Sequence, residues 1–370
     1  MKQHSQLIII FFLVISISSS FTSRLHAADQ KTGKKDIGDA EARRSWTFFP
    51  IIAYNSETGL ILGASTFYFP PESNRLSKKS SIDIFVFGTT KGQFFLNLMP
   101  NLISRDDKYR LRTKIMGTYW KSKFYGIGNN TPDMYEEYET SGYRIELSLD
   151  RRFPGGFTLG PIVDFRMEKV DPQSGGLLAT GIISGAGEGT YSGLGISAGY
   201  DTRDNLNAPH SGNLARYEYV NYLSEIGSDL DFNTQAFDLR HYFPTSQRTT
   251  LAVAGHMRIS RGNIPFRLLS KPDGVKILRG IENRRYIDRD LLAFQMEFRF
   301  PVKGRFSAAV FADIAQVAND ISNVKIDEFK SSVGGGIRYA LNKEQRFYMR
   351  IDLAWVDSGA GIVVSVREAF

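Results

Sequence analysis

The sequence runs to 370 residues, with 46 Lys and Arg against 39 Asp and Glu, a net charge of +7, and 13% aromatic residues. It contains no cysteine, which excludes disulfides, thiol chemistry and acylation of an N-terminal cysteine. The basic excess is scattered rather than gathered into a stripe, so nucleic acid is not an expected partner, and five histidines without ligand spacing predict neither a metal nor a cofactor.

Lys2, the apolar run "LIIIFFLVISI" at 7–17, the polar "SSS" after it and the small pair Ala27 and Ala28 together read as a cleavable signal peptide over 1–28. The apolar run is too short to cross a bilayer as a helix. Its removal leaves a net charge of about +5. Residues 29–45 are charged and small and read as a flexible lead-in. From 46 to 370, period-2 alternation dominates. "AFQMEFRF" sets Phe294, Met296, Phe298 and Phe300 against Gln295, Glu297 and Arg299, and "FYMRIDLAW" sets Met349, Ile351 and Leu353 against Tyr348, Arg350 and Asp352. A soluble sandwich rarely leaves so many charged residues on one face of strands so aromatic on the other. A barrel with lipid outside and water inside accounts for both faces.

Sixteen strands are expected, near 46–54, 59–69, 80–89, 92–99, 109–120, 141–152, 156–168, 188–200, 212–223, 232–243, 249–260, 290–301, 305–315, 330–341, 345–356 and 360–370. Tight connections such as "PGG" at 154–156 and "PTSQR" at 244–248 fall on one side. Longer ones at 121–140, 169–187, 261–289 and 316–329 fall on the other. Short periplasmic turns with long outer loops are the expected asymmetry of an antiparallel up-and-down transmembrane barrel in a bacterial outer membrane. Aromatics in "YFP" at 68–70 and 242–244 and "TYW" at 118–120 are expected to form interface girdles. Phe370, ending "GIVVSVREAF", is expected to close the last strand as the aromatic signal read by the barrel-insertion machinery.

Three separated segments carry a family likeness. "GLGISAGYDTRDNLNAPHSGNLARYEY" at 193–219, "LRGI" at 278–281 and "QMEFRFPV" with "GRFSAAVFADIA" over 295–315 resemble, in order, the turn, loop and strand motifs of the BamA/TamA outer-membrane assembly superfamily, the bacterial surface antigen barrels. Ile281 stands where the loop motif has an aromatic, and Ala315 where the strand motif has glycine. No segment fits the periplasmic POTRA domains of BamA and TamA, so the expectation is a member without them. The resemblance implies that the loop before strand 12 folds into the barrel. Leu278, Arg279 and Gly280 would then form its tip, with Arg279 pairing with Glu297 and Asp313. A guanidinium offers two carboxylates a planar fork of donors, and glycine lets the backbone approach the wall.

Asp201, Arg203, Asp204, Pro209 and Gly212 lie at a strand-to-turn junction, where such residues serve as turn formers; we read them as a charged periplasmic turn, with binding as the lesser reading. Catalysis is not expected. A membrane phospholipase needs Ser and His together, yet His256 falls on the inner face, His241 on the outer and His210 in a turn. The glycines of "SGAGEGTYSGLG" open no helix and so no phosphate loop.

The resemblance implies a mechanical role in inserting or translocating proteins or lipids, through a weak seam between the first and last strands. The expected partners are lipopolysaccharide and phospholipid, an unfolded outer-membrane protein or lipid as cargo, and a separate periplasmic protein standing in for the missing domains. The alternative is a passive channel or structural barrel, with Arg258, Arg299, Arg338 and Arg350 making a basic, weakly anion-selective lumen.

Overall fold

The computed structural model describes residues 45–55, 58–70, 80–357 and 359–370; the signal peptide and all but the last residue of the lead-in lie outside the described residues. Alternation of apolar and polar side chains gives sixteen strands. They are β1 (Ser45–Asn55), β2 (Gly59–Phe69), β3 (Ser81–Thr89), β4 (Phe94–Ile103), β5 (Tyr109–Phe124), β6 (Glu136–Arg152), β7 (Phe157–Pro172), β8 (Glu188–Asp201), β9 (Gly212–Tyr222), β10 (Phe232–Pro244), β11 (Thr250–Gly262), β12 (Asp290–Lys303), β13 (Phe306–Ala318), β14 (Lys330–Asn342), β15 (Phe347–Val356) and β16 (Gly359–Val366). Each pairs antiparallel with the next, in chain order, in one sheet. The sheet curls until its ends meet, with the rings of Phe67 on β2 and Phe347 on β15 4.6 Å apart.

The two faces separate by parity. On β12, Leu291, Ala293, Gln295, Glu297 and Arg299 are buried inside while Phe294, Met296 and Phe298 are exposed outside. Val310, Ile314, Val333, Ile337, Ile351, Leu353 and Trp355 continue the outer apolar belt across β13–β15. None of the described helices is long and apolar enough to cross a membrane; the membrane-facing surface is this belt of strands. The inner wall changes character around the barrel. Phe67, Phe85, Phe87, Phe95 and Met99 pair in register with inward positions of β2–β4, whereas β5–β15 carry arginines and carboxylates inward.

Period 2 also corrects the expected girdles. Of neighbouring aromatics only one can face out, so Phe243 is exposed while Tyr242 is buried inside, and Phe69 packs inward on Phe347. Trp120, edge-on to Phe87, likewise lies on the inner side.

The last strand ends earlier than alternation suggests. Arg367 adopts a left-handed backbone with φ of 65°, which turns 367–370 off the strand and into the lumen. Phe370 is therefore not the outward terminal aromatic of β16. It is buried in a cluster with Tyr242, Ala252, Ala254 and Ala369. With the outer belt facing lipid, Ile337→Arg near the middle of β14 should cost about 2–4 kcal/mol of folding into vesicles, read from denaturant titrations of the purified barrel. A cost near zero would mean that this belt does not meet hydrocarbon.

Candidate functional site

The 27-residue connection between β11 and β12 enters the barrel instead of leaving it. Its apolar anchor is Leu278, fully buried against Leu291, Ala293, Ala315 and Val317 of β12 and β13. Arg279 beside it is fully buried as well. Its Nε and Nη2 donate to the two carboxylate oxygens of Asp313 at 2.8 Å each. Its Nη1 donates to Glu297, and its guanidinium carbon lies over the Phe311 ring, 3.4 Å from the centroid. The backbone is engaged too: the Arg279 amide donates to Asp313 at 3.2 Å, and its carbonyl accepts from the Ser332 hydroxyl at 2.6 Å.

Gly280 carries the chain past the wall with φ of +87°. A Cβ there would lie 2.8 Å from the Ala354 Cβ, and one on Gly361 would lie 2.7 Å from the Gly280 carbonyl oxygen. Glycine is needed for both conformation and clearance. The loop tip thus rests on β12 and β13 through Arg279, on β14 through Ser332, on β15 through Ala354 and on β16 through Gly361.

Around Arg279 the ion pairs continue. Glu297 also accepts from Arg299 at 2.6 Å and from Arg338 at 3.1 Å. Arg338 bridges on to Asp352 at 2.6 Å and Glu368 at 3.1 Å. Arg350 pairs with Asp352 and donates to the Val275 carbonyl at 2.6 Å. Four guanidinium groups (Arg279, Arg299, Arg338, Arg350) therefore face four carboxylates (Glu297, Asp313, Asp352, Glu368) in one buried lattice. Sequence reasoning brought Arg279, Glu297 and Asp313 together but missed Asp352 and Glu368. The one available signal was parity, which puts Arg350 and Asp352 on the same face. It also set Arg299, Arg338 and Arg350 aside as open lumen charges, where the structure neutralises all three.

The turn residues lie at the junction between β8 and β9 and reach the lattice at Arg299 and the tail. Asp201 accepts from Arg203 Nε and Nη2 at 2.9 and 3.0 Å, and both residues are buried. Gly212 has φ of +101° and sits where a Cβ would strike the Thr202 carbonyl. The Pro209 carbonyl accepts weakly from Arg299 at 3.4 Å. Asp204 accepts from the His210 amide at 2.9 Å and from Arg346 at 2.5 Å. Burial alone would raise its carboxyl, but the His210 amide, the Arg346 guanidinium and the Ser211 amide outweigh it and hold the group below the usual carboxylate range. The turn also holds the tail, with Asn207 accepting from Arg367 at 2.7 Å and from the Glu368 amide at 3.3 Å, while Arg299 of β12 donates to the Phe370 carbonyl at 2.8 Å.

A profile of the Omp85 superfamily domain matches residues 87–360. The chain belongs to the Omp85 superfamily. Among solved structures, BamA from Haemophilus ducreyi lacking POTRA domains 1–3 is similar, with 15% identity, a TM-score of 0.55, and coverage of 88% of this chain and 69% of that one. CdiB from Acinetobacter baumannii is similar at 10% identity, with a TM-score of 0.56 and coverage of 87% and 59%. At such identities the likeness is one of fold. No curated protein matches the sequence. In this Omp85 barrel the buried lattice and the loop tip form the best-defined candidate site, because buried charges of both signs are paired there in equal number.

Arg279→Gln should therefore destabilise the barrel by about 3–5 kcal/mol, seen as a lower temperature for loss of its compact gel mobility. Lys108→Gln, which removes an exposed pair with Asp106, should cost about 1 kcal/mol or less. Equal losses would mean that Arg279 is no special anchor. Gly280→Ala should cost more than about 1 kcal/mol in the same assay. Because the Asp204 carboxyl is depressed in the fold, its stabilisation is present at neutral pH and lost as pH falls. Asp204→Asn should flatten that acid-side loss in melts between about pH 5 and 2.

Proposed function

We propose that this Omp85 barrel sits in the bacterial outer membrane and assists insertion or translocation of proteins, or of lipids, by opening between β1 and β16. One observation carries the reading. Each strand from β1 to β16 is laddered to its successor, whereas among the described residues no ladder joins β16 back to β1. Side chains span the gap instead: Arg367 pairs with Asp83 on β3 and donates to Ser81 at 3.3 Å, and Phe347 packs on Phe67 and Phe69. Unpaired strand edges are templates for another strand. The loop braces β12–β16, so opening would move β1–β4 against a stiff partner.

The work is mechanical and uses no catalytic residue or cofactor. An unfolded outer-membrane protein or a lipid is the cargo, lipopolysaccharide and phospholipid are the surroundings, and a separate periplasmic protein delivers the cargo. The barrel's own assembly depends on the insertion machinery, with the inward Phe370 an unusual signal for it. Against a passive channel stand the loop inside the lumen and the neutralisation of Arg299, Arg338 and Arg350.

The test is the rate at which a urea-unfolded small outer-membrane barrel folds into vesicles with and without this protein. Several-fold acceleration is expected, and Asp83→Ala, which releases Arg367, should raise it further. Rates equal to empty vesicles, together with an unchanged outer-membrane proteome and lipid asymmetry on deletion, would end the proposal. Large steady conductance in planar bilayers would restore the channel.

A further inference from the structure

A second feature of the lumen lies apart from the seam and the loop tip. Between the inner faces of β5–β11 and the base of the in-folded loop is a cavity of about 430 Å³. Its wall carries Arg112, Arg144, Arg166, Arg216 and Arg258, and the loop adds Arg267 and Lys271. The carboxylates that line it are Glu218 and Asp238, and both are taken. Glu218 accepts from Arg112 at 2.9 Å, and Asp238 is held by both arms of Arg240 at 2.7 and 2.6 Å. Arg144 and Arg166 are likewise satisfied by Asp164 just behind the wall.

Two guanidinium groups are left over. Arg258 has no hydrogen bond or ion pair to any described residue, and its Nε is shut off from water without a partner. Arg216 reaches its nearest carboxylate, Glu218, at only 4.0 Å. Register explains why Arg258 stays unpaired. Its neighbour across β10 is Ala236, and Glu218 lies one strand further, opposite Ala236. Adjacent strands stand about 4.8 Å apart, so this carboxylate begins two spacings away. A buried donor without an acceptor is costly, and the cavity sets the orphaned Nε of Arg258 in one space with the loosely paired Arg216 and with other cations behind.

We infer that this chamber binds a phosphate-bearing anion, held by Arg258 and Arg216 with Arg112 beside them. Guanidinium forks match tetrahedral oxyanions with paired, charge-assisted hydrogen bonds. The volume lies within the range of small-molecule sites and leaves room for a sugar or glycerol carrying the phosphate. The same chemistry could come from a lipid headgroup or from free phosphate. The inference does not depend on the seam opening.

The test is calorimetric titration of the full chain, folded in a zwitterionic detergent at low salt, with inorganic phosphate and with glucosamine 1-phosphate. Saturable binding near one per barrel is expected. Arg258→Gln and Arg216→Gln should each weaken it at least tenfold, while Arg248→Gln in an exposed turn leaves it unchanged. Unaltered gel mobility of the variants separates lost binding from lost folding. Tighter binding of the sugar phosphate supports a headgroup ligand, and equal binding supports free phosphate. No saturable binding of either, or binding that survives both chamber variants, overturns the inference.

Discussion

The structure depends on a charge lattice that is complete or useless. Glu297 at its centre is fully buried and serves Arg279, Arg299 and Arg338 at once. A carboxylate so placed repays its desolvation only because several guanidinium groups share it, and losing any of them leaves the rest of the network poorly matched. The lattice draws its members from β12 to β15, the loop and the tail. It therefore ties together parts of the chain separated by about ninety residues, beside the apolar cluster of Leu278, Leu291, Ala293, Ala315 and Val317.

Small residues make the lattice possible. A Cβ on Gly336 would strike the Asp352 carboxylate at 2.1 Å and Arg338 at 2.6 Å, and one on Gly334 would strike the Phe311 ring at 2.6 Å, so these two glycines clear the floor on which the ions sit. Gly280, Ala354 and Gly361 do the same where the loop backbone meets β15 and β16. Small residues at the contact let the in-folded loop press on the wall on one side of the seam, and large aromatics fill the wall on the other side.

The faces of the strands were legible in the sequence because their period is two, and so was the pairing of Arg279 with Glu297 and Asp313, which the family motif specified. What alternation cannot carry is a break in itself. In "VREAF" the alternation lapses at Glu368, which falls on the face of Val364 and Val366, but nothing there says that Arg367 turns the tail inward and that Phe370 ends inside rather than outside. Nor does any local signal say which inward charges meet. Arg338 and Arg350 read as a basic pore until register sets them beside Asp352, whereas Arg258, which reads the same in sequence, faces Ala236 and stays alone.

These contrasts divide the lumen into three mechanical and chemical sectors. Beyond the braced strands β12–β16, β1–β4 meet the far side through Asp83, Ser81 and a few aromatic contacts, and those contacts can separate without unpairing any ladder. The sector β5–β11 keeps its arginines around open space. A barrel whose stiffness is concentrated on one side of its only unladdered joint among the described residues will yield at that joint first, since separating side chains there costs less than breaking backbone pairs elsewhere. In the proposed opening, the buried lattice on one side of the joint, rather than any single residue at it, would decide which edge moves.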